Sequence, residues 1–157
     1  MNEIRICFVC LGNICRSPTA EAVFLDLIER EGVADRFVVD SAGTVAHHAG
    51  ERAHRDTRAA AREHGIEVRS IARQFVKSDF DRFDYVVAMD GENRKNLERL
   101  AGDDRVTVHL FRDFDASSPP ASDVPDPYYS GGFGHVYDIC VAASRGLLEE
   151  LKSKHGV

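Results

Sequence analysis

The sequence predicts an α/β fold, a mostly parallel sheet layered between helices. Three observations predict it. Short β-prone runs alternate with longer stretches of helical periodicity. The strand runs are apolar throughout, as in strands covered on both faces. No internal repeat or low-complexity tract breaks the alternation. The expected architecture is three-layer α/β/α around a four-stranded parallel sheet. The 157 residues suit a single domain, residues 1–157, with a substantial core.

The first strand is Ile4–Cys10. Ala20, Val23, Phe24, Leu27 and Ile28 then recur at the spacing of one helix face. Pro18 suits the first turn of that helix and Gly32 its end. Residues 37–40 form the second strand, and residues 53–64 a helix stopped by Gly65, with His64 placed to complement the helix dipole. The third strand is 85–89. Asp90 follows as a cap for a helix reaching about Ala101. Residues 106–110 are the fourth strand. The last helix covers about 134–152, with a stripe of Val136, Ile139, Cys140, Ala143, Leu147, Leu148 and Leu151. Residues 111–130 read as a long loop holding Pro119, Pro120, Pro125 and Pro127. Loops of that length in a small domain are functional or disordered. Ligands in open α/β sheets bind beyond the C-terminal ends of the strands, where Cys10 lies and where this loop begins.

A net charge of −6 excludes the broad basic surface that nucleic acid or an anionic membrane requires. An anion site must be built locally, from backbone N–H groups and a few cations. No apolar run approaches the roughly 20 residues of a membrane span. The N-terminal apolar run is short and lacks a basic leader and a cleavage site, so it reads as a buried strand rather than a signal peptide. Four cysteines, three of them within residues 7–15, do not resemble a disulfide framework; reduced thiols in a cytoplasmic protein are expected.

The segment Cys10-Leu11-Gly12-Asn13-Ile14-Cys15-Arg16-Ser17-Pro18 joins the first strand to the first helix. Such a turn can aim several N–H groups at one anion, aided by the helix N-terminus. Gly12 and Asn13 tolerate the left-handed backbone that an anion-binding nest uses. Arg16 supplies a planar fork that grips two phosphate oxygens. Positive groups facing Cys10 favour its thiolate, the form that attacks phosphorus. The Ser17 hydroxyl can donate a hydrogen bond that stabilises this thiolate.

The stretch VCLGNICRSPTAEA, residues 9–22, resembles the phosphate loop of the low-molecular-weight protein tyrosine phosphatase family. Further matches follow in order: Asp40-Ser41-Ala42-Gly43-Thr44, Ala72-Arg73-Gln74, Ala88-Met89-Asp90 and Asp126-Pro127-Tyr128-Tyr129. A Cys-x5-Arg pattern alone is weak; this ordered set spans essentially the whole chain. The resemblance implies a phosphatase I-like fold and hydrolysis of phosphotyrosine and aryl phosphates through a phosphocysteine on Cys10. It makes Arg16 the phosphate clamp and Asp126 the general acid and base. Outside the resemblance, Asp126 is one loop carboxylate among several and a turn former before proline, with Asp123 its nearby competitor. The resemblance places Leu11, Gly12, Asn13, Ile14, Cys15 and Ser17 around the phosphate, Asn13 being bonded to Ser17 and Ser41. It makes Tyr128 and Tyr129 walls of an aryl pocket above Leu11 and Ile14. It also implies a protective disulfide between Cys10 and Cys15 under oxidation, against the plainer reading of Cys15 as a small buried side chain. Cys7 and Cys140 fall on apolar faces and read as core.

No cofactor and no metal are expected. The expected partners are phosphotyrosine-containing proteins, a bacterial tyrosine kinase among the candidates, with phosphate or other oxyanions in the site. Two departures stand out. Ser70 occupies a position where the family commonly has a supporting histidine; it can still hydrogen-bond, though it is shorter. His47 stands where many members have an aromatic residue at the pocket mouth, able to stack on a phosphotyrosine ring or meet acidic substrate residues.

Rival readings are weaker. Arsenate reductases of the same fold need two relay cysteines, and residues 80–95 contain none. A protein-arginine phosphatase of the same family would favour threonine at position 14, whereas Ile14 suits an aryl ring. A metal cluster of Cys7, Cys10 and Cys15 is opposed by strand alternation, which points Cys7 and Cys10 to opposite faces. A Walker phosphate loop is excluded because its motif is absent.

Overall fold

Strand β1 (Ile4–Cys10) lies inside a four-stranded parallel sheet, flanked by β2 (Phe37–Gly43) and β3 (Tyr85–Ala88). β4 (Val108–Leu110) completes the order β2-β1-β3-β4. The computed structural model describes residues 2–157. Alternation along β1 divides the core. Ile6, Phe8 and Cys10 face helices α1 (Arg16–Arg30) and α5 (Phe133–His155), while Cys7 and Val9 face α3 (Gly91–Ala101). Helix α2 (Arg55–Arg62) packs beside α1 and α5. The outcome is the expected three-layer arrangement. Phe8, Phe24, Phe37 and Phe111 join in its larger core, Phe8–Phe111 and Phe24–Phe37 edge to face and Phe8–Phe24 tilted, with ring centroids 5.2–5.9 Å apart.

The boundaries differ from expectation where side-chain pattern is a poor guide. β2 continues through Ser41, Ala42 and Gly43, because Cys10 still pairs with Gly43. β4 is shorter than residues 106–110 because its pairing to β3 begins at Val108. Helix α2 is shorter than 53–64, and α5 begins earlier and ends later than 134–152. The long proline-bearing loop contains a 3-10 turn, Phe111–Phe114, and a one-turn helix α4 (Pro127–Ser130).

Two glycines set close approaches that position the site. A Cβ on Gly146 of α5 would lie 1.7 Å from the Phe114 carbonyl oxygen, so only glycine lets the start of the long loop rest on that helix. A Cβ on Gly43 would lie 2.7 Å from the Leu11 carbonyl oxygen, so glycine here lets β2 run tightly past the loop after β1.

Candidate active site

The loop between β1 and α1 wraps a pocket of about 120 Å³ beyond the C-terminal end of β1. Its carbonyls are tied away from the pocket. Cys10 O accepts from Thr44 N at 2.9 Å, Leu11 O from Val45 N at 3.1 Å, and Ile14 O from His54 N at 2.8 Å. Among the described residues, the N–H groups of residues 11–15 meet no protein acceptor. That leaves a run of donors for an anion, next to the N-terminus of a 15-residue helix.

Asn13 carries the conformational strain, with φ of 58°. Its buried side chain is fully engaged. Nδ2 donates to Ser17 Oγ at 2.8 Å and to Ser41 Oγ at 3.0 Å, and Oδ1 accepts from Arg73 N at 3.0 Å. Arg73 is itself held by Asp40 and Asp79, each at 3.0 Å. The strained loop thus hangs on β2 and on the segment before β3. Ser17 Oγ stands 3.1 Å from Cys10 Sγ.

Arg16 is buried at the base of α1. Its Nη1 donates to Asp90 Oδ2 at 2.6 Å and to the Val124 carbonyl at 3.1 Å, while Nη2 lies 3.5 Å from Asp126 Oδ2. Burial works against its charge, but Cys10, Asp90 and Asp126 outweigh burial and raise its pKa. Asp90 also caps α3, accepting from Asn93 N at 2.7 Å. The sequence reading took Asp90 as this cap and did not pair it with Arg16.

Asp126 reaches the same pocket from the far end of the chain. Its Oδ1 accepts from Tyr128 N at 3.1 Å, starting α4, and its other oxygen faces Arg16. The loop that carries it is pinned where Val124 N donates to Met89 O at 2.8 Å. Asp123, the competing carboxylate, instead accepts from Gly91 N at 3.0 Å and does not line the pocket.

Cys10, Leu11, Gly12, Ile14, Cys15, Arg16, His47, Asp126, Tyr128 and Tyr129 all line the pocket. Asn13 and Ser17 do not; their side chains lie behind the loop as its support. Tyr129 is 93% exposed and stands at the rim, while Tyr128 packs inward against His48 and His54. His48 was missed. It lines the pocket beside His47 and presses on Gly12, where a Cβ would lie 3.0 Å from its Cδ2. The adjacent pair His47-His48 was its one signal in the sequence.

Ser70 was expected to be able to hydrogen-bond though shorter than histidine; among the described residues its hydroxyl has no hydrogen-bond partner, so it does not join the supporting network. Glu21 fills that role, accepting from Ser41 Oγ at 2.5 Å. Burial pushes the Glu21 carboxyl up to about 7. The four cysteines are unpaired and buried. Burial pushes Cys15 up to about 12 and raises Cys7 and Cys140 as well, so these three are thiols at neutral pH.

This arrangement can bind a tetrahedral anion, attack it from sulfur, and move a proton at a neighbouring oxygen. Comparison with known proteins agrees. A family described as low molecular weight phosphotyrosine protein phosphatase matches residues 5–156. A low molecular weight protein-tyrosine-phosphatase of Streptomyces coelicolor is 44% identical, over 96% of this chain and 94% of its own length. The crystal structure of YfkJ from Bacillus subtilis superposes with a TM-score of 0.94 at 39% identity, covering 99% of this chain and 98% of that one. A drosophila arginine phosphatase shares the fold at a TM-score of 0.86 and 28% identity, covering 95% and 98% of the two chains. The chain belongs to the low molecular weight phosphotyrosine protein phosphatase family.

Proposed function

We propose that this chain is a phosphotyrosine hydrolase working through a phosphocysteine, with Cys10 as nucleophile, Arg16 as phosphate clamp and Asp126 as general acid and base. One observation carries the reading. Cys10, Arg16 and Asp126 come from two regions over a hundred residues apart, yet line one pocket with Tyr128. Their convergence also supports treating the chain as one catalytic domain.

The Cys10 thiolate attacks phosphorus in line with the tyrosyl oxygen. As the S–P bond forms, the P–O bond breaks, and its electron pair leaves on that oxygen, which takes the proton of the Asp126 carboxyl. The loop N–H groups and the Arg16 fork stabilise the three equatorial oxygens, where charge spreads in phosphoryl transfer. Asp126, now a carboxylate, then takes a proton from water as the water oxygen attacks phosphorus. The S–P pair returns to Cys10, where the Ser17 hydroxyl is in place to stabilise the thiolate. The products are tyrosine and inorganic phosphate.

Ile14 and Tyr128 give the pocket walls that suit an aryl ring, and Ile14 offers no acceptor to a guanidinium. Substrates are accordingly phosphotyrosine-bearing proteins, with a tyrosine kinase's own phosphotyrosines among them. Among the described residues, no helix is long and apolar enough to cross a membrane. The unpaired thiols support a cytoplasmic location.

The test is phosphate release from a phosphotyrosine peptide and a phosphoarginine peptide, in parallel with EDTA present. Fast release from phosphotyrosine alone is expected. Preference for phosphoarginine would overturn the aryl-pocket reading, and release from neither would overturn the assignment of activity.

A further inference from the structure

Glu21 lies on α1 and does not line the pocket. Its carboxylate is nevertheless joined to the loop by hydrogen bonds whose directions can be deduced. The Arg73 N–H donates to Asn13 Oδ1, which fixes the Asn13 amide with its nitrogen toward Ser17 and Ser41. An amide nitrogen only donates. Ser41 Oγ and Ser17 Oγ therefore both accept from it, at 3.0 and 2.8 Å. Each serine is left with one hydrogen to give. Ser41 gives its hydrogen to Glu21 Oε1 at 2.5 Å, the short distance of a bond to an ionised acceptor. Ser17 can give its hydrogen to Cys10 Sγ at 3.1 Å, the alternative being a long 3.4 Å contact with Ala42 O.

We infer that Glu21 is a positioning residue for the nucleophile: as an acceptor it commits the Ser41 hydrogen, so that Ser41 can hold Asn13, and Asn13 can hold Ser17 against Cys10. The inference rests on Cys10 being the nucleophile. The requirement is directional. A Glu21 protonated on Oε1 would donate to Ser41 Oγ and leave the Ser41 hydrogen without its acceptor, whereas a glutamine carbonyl oxygen at that place still accepts it. The Ser41 contact that supports Asn13, with its φ of 58°, would be weakened.

The surroundings tie this to pH. Burial and the Asp40 carboxylate favour the neutral form of Glu21; the Ser41 bond and the Arg73 guanidinium favour the charged one. Glu67 and Arg69 line the same surface cleft but pair with each other at 3.0 Å. Ser70, also in that cleft, offers an uncharged hydroxyl that has no partner among the described residues. The balance leaves Glu21 titrating near neutrality.

Three proteins test the inference: wild type, Glu21→Gln and Glu21→Leu. Both variants lose the same charge, but only glutamine can still accept from Ser41, so the difference between them isolates the acceptor. With p-nitrophenyl phosphate at pH 8, Glu21→Leu should have a kcat at least about fivefold below that of Glu21→Gln. Below pH 6.5, Glu21→Gln should exceed wild type, its acid limb lying at lower pH. Ser41→Ala should add little to Glu21→Leu, since both cut one path. Alkylation of Cys10 by iodoacetamide needs no turnover and should show the same order at pH 8. It decides the inference even if phosphotyrosine is not the substrate. Equal kcat and equal alkylation in the two variants would overturn it, as would an unchanged acid limb in Glu21→Gln.

Discussion

The guanidinium of Arg16 is clamped to the carboxylate of Asp90, Nη1 to Oδ2 at 2.6 Å, although 74 residues separate them. Both side chains are largely withdrawn from solvent, at 4% and 18% exposure, so the pair is weakly screened. It aims the fork of Arg16 at the pocket before a phosphate arrives. Catalysis gains from such preorganised charge because little must reorient during the reaction.

Asp90→Asn separates this role from the helix cap, since asparagine also caps well. Weakening the clamp should lower kcat/KM for p-nitrophenyl phosphate by about 10- to 100-fold, equivalent to roughly 1.4–2.8 kcal/mol. The melting temperature should change little. Steady-state kinetics beside a thermal melt checks both. Unchanged kinetics would show that the Val124 carbonyl and Asp126 suffice to orient Arg16.

Asp126→Asn keeps the bond from Tyr128 N and removes the transferable proton. Phosphotyrosine hydrolysis should slow by about 10²–10⁴-fold. An aryl phosphate with a more acidic leaving group should be affected less, because it departs without help. An equal loss for both leaving groups would argue that Asp126 serves only the second step.

Peroxide distinguishes a redox role for Cys15 from simple packing. A Cys10 thiolate oxidised by hydrogen peroxide becomes a sulfenic acid. Condensation with the Cys15 thiol expels water and leaves a disulfide that added thiol can reduce. Wild type should therefore regain most of its activity with dithiothreitol, and Cys15→Ser should regain several-fold less. Equal recovery would make Cys15 a packing residue only. The elevated Cys15 pKa, about 12, keeps that sulfur a thiol and slow to react with peroxide by itself.

Stability should carry a pH signature from Glu21. Its folded pKa of about 7 lies above the unfolded value of about 4.3. Between those values the native state holds a proton that the unfolded chain has released. The stabilisation is complete below about pH 4.3 and is lost as pH rises toward 7, by at most about 3–4 kcal/mol. Glu21→Gln lacks this loss. The difference in urea midpoint, variant minus wild type, should grow from pH 5 to 7.5 and then level off. A difference independent of pH would place the Glu21 titration elsewhere. The ionised form that supports the loop is thus the form that burial disfavours, so function costs stability here.

Much of this was legible in the sequence because it is local. The β1 run, the turn after it and the α1 stripe sit together in residues 4–30, and their periodicities are unambiguous. Asp126 was legible only through the ordered family motifs, since an Asp before Pro is otherwise a turn former. The second face of Asp90 was not, because its pairing with Arg16 depends on how β3 lies beside β1. Glu21 falls inside the family stretch of residues 9–22, but no role was read from it; its contact with Ser41 appears only when β2 is laid against α1. The same packing explains Ser70. A hydroxyl at that position falls short of the network, and the carboxylate on α1 reaches it instead.

The central claim is that phosphate passes through Cys10. Rapid acid quench of wild type during turnover of a phosphotyrosine peptide, followed by mass spectrometry, tests it most directly. The account predicts an 80-Da phosphoryl adduct on the peptide containing Cys10, absent in Cys10→Ser, whose turnover should fall by about 10⁴-fold or more. An adduct on another residue, or Cys10→Ser turning over at the wild-type rate, would contradict it.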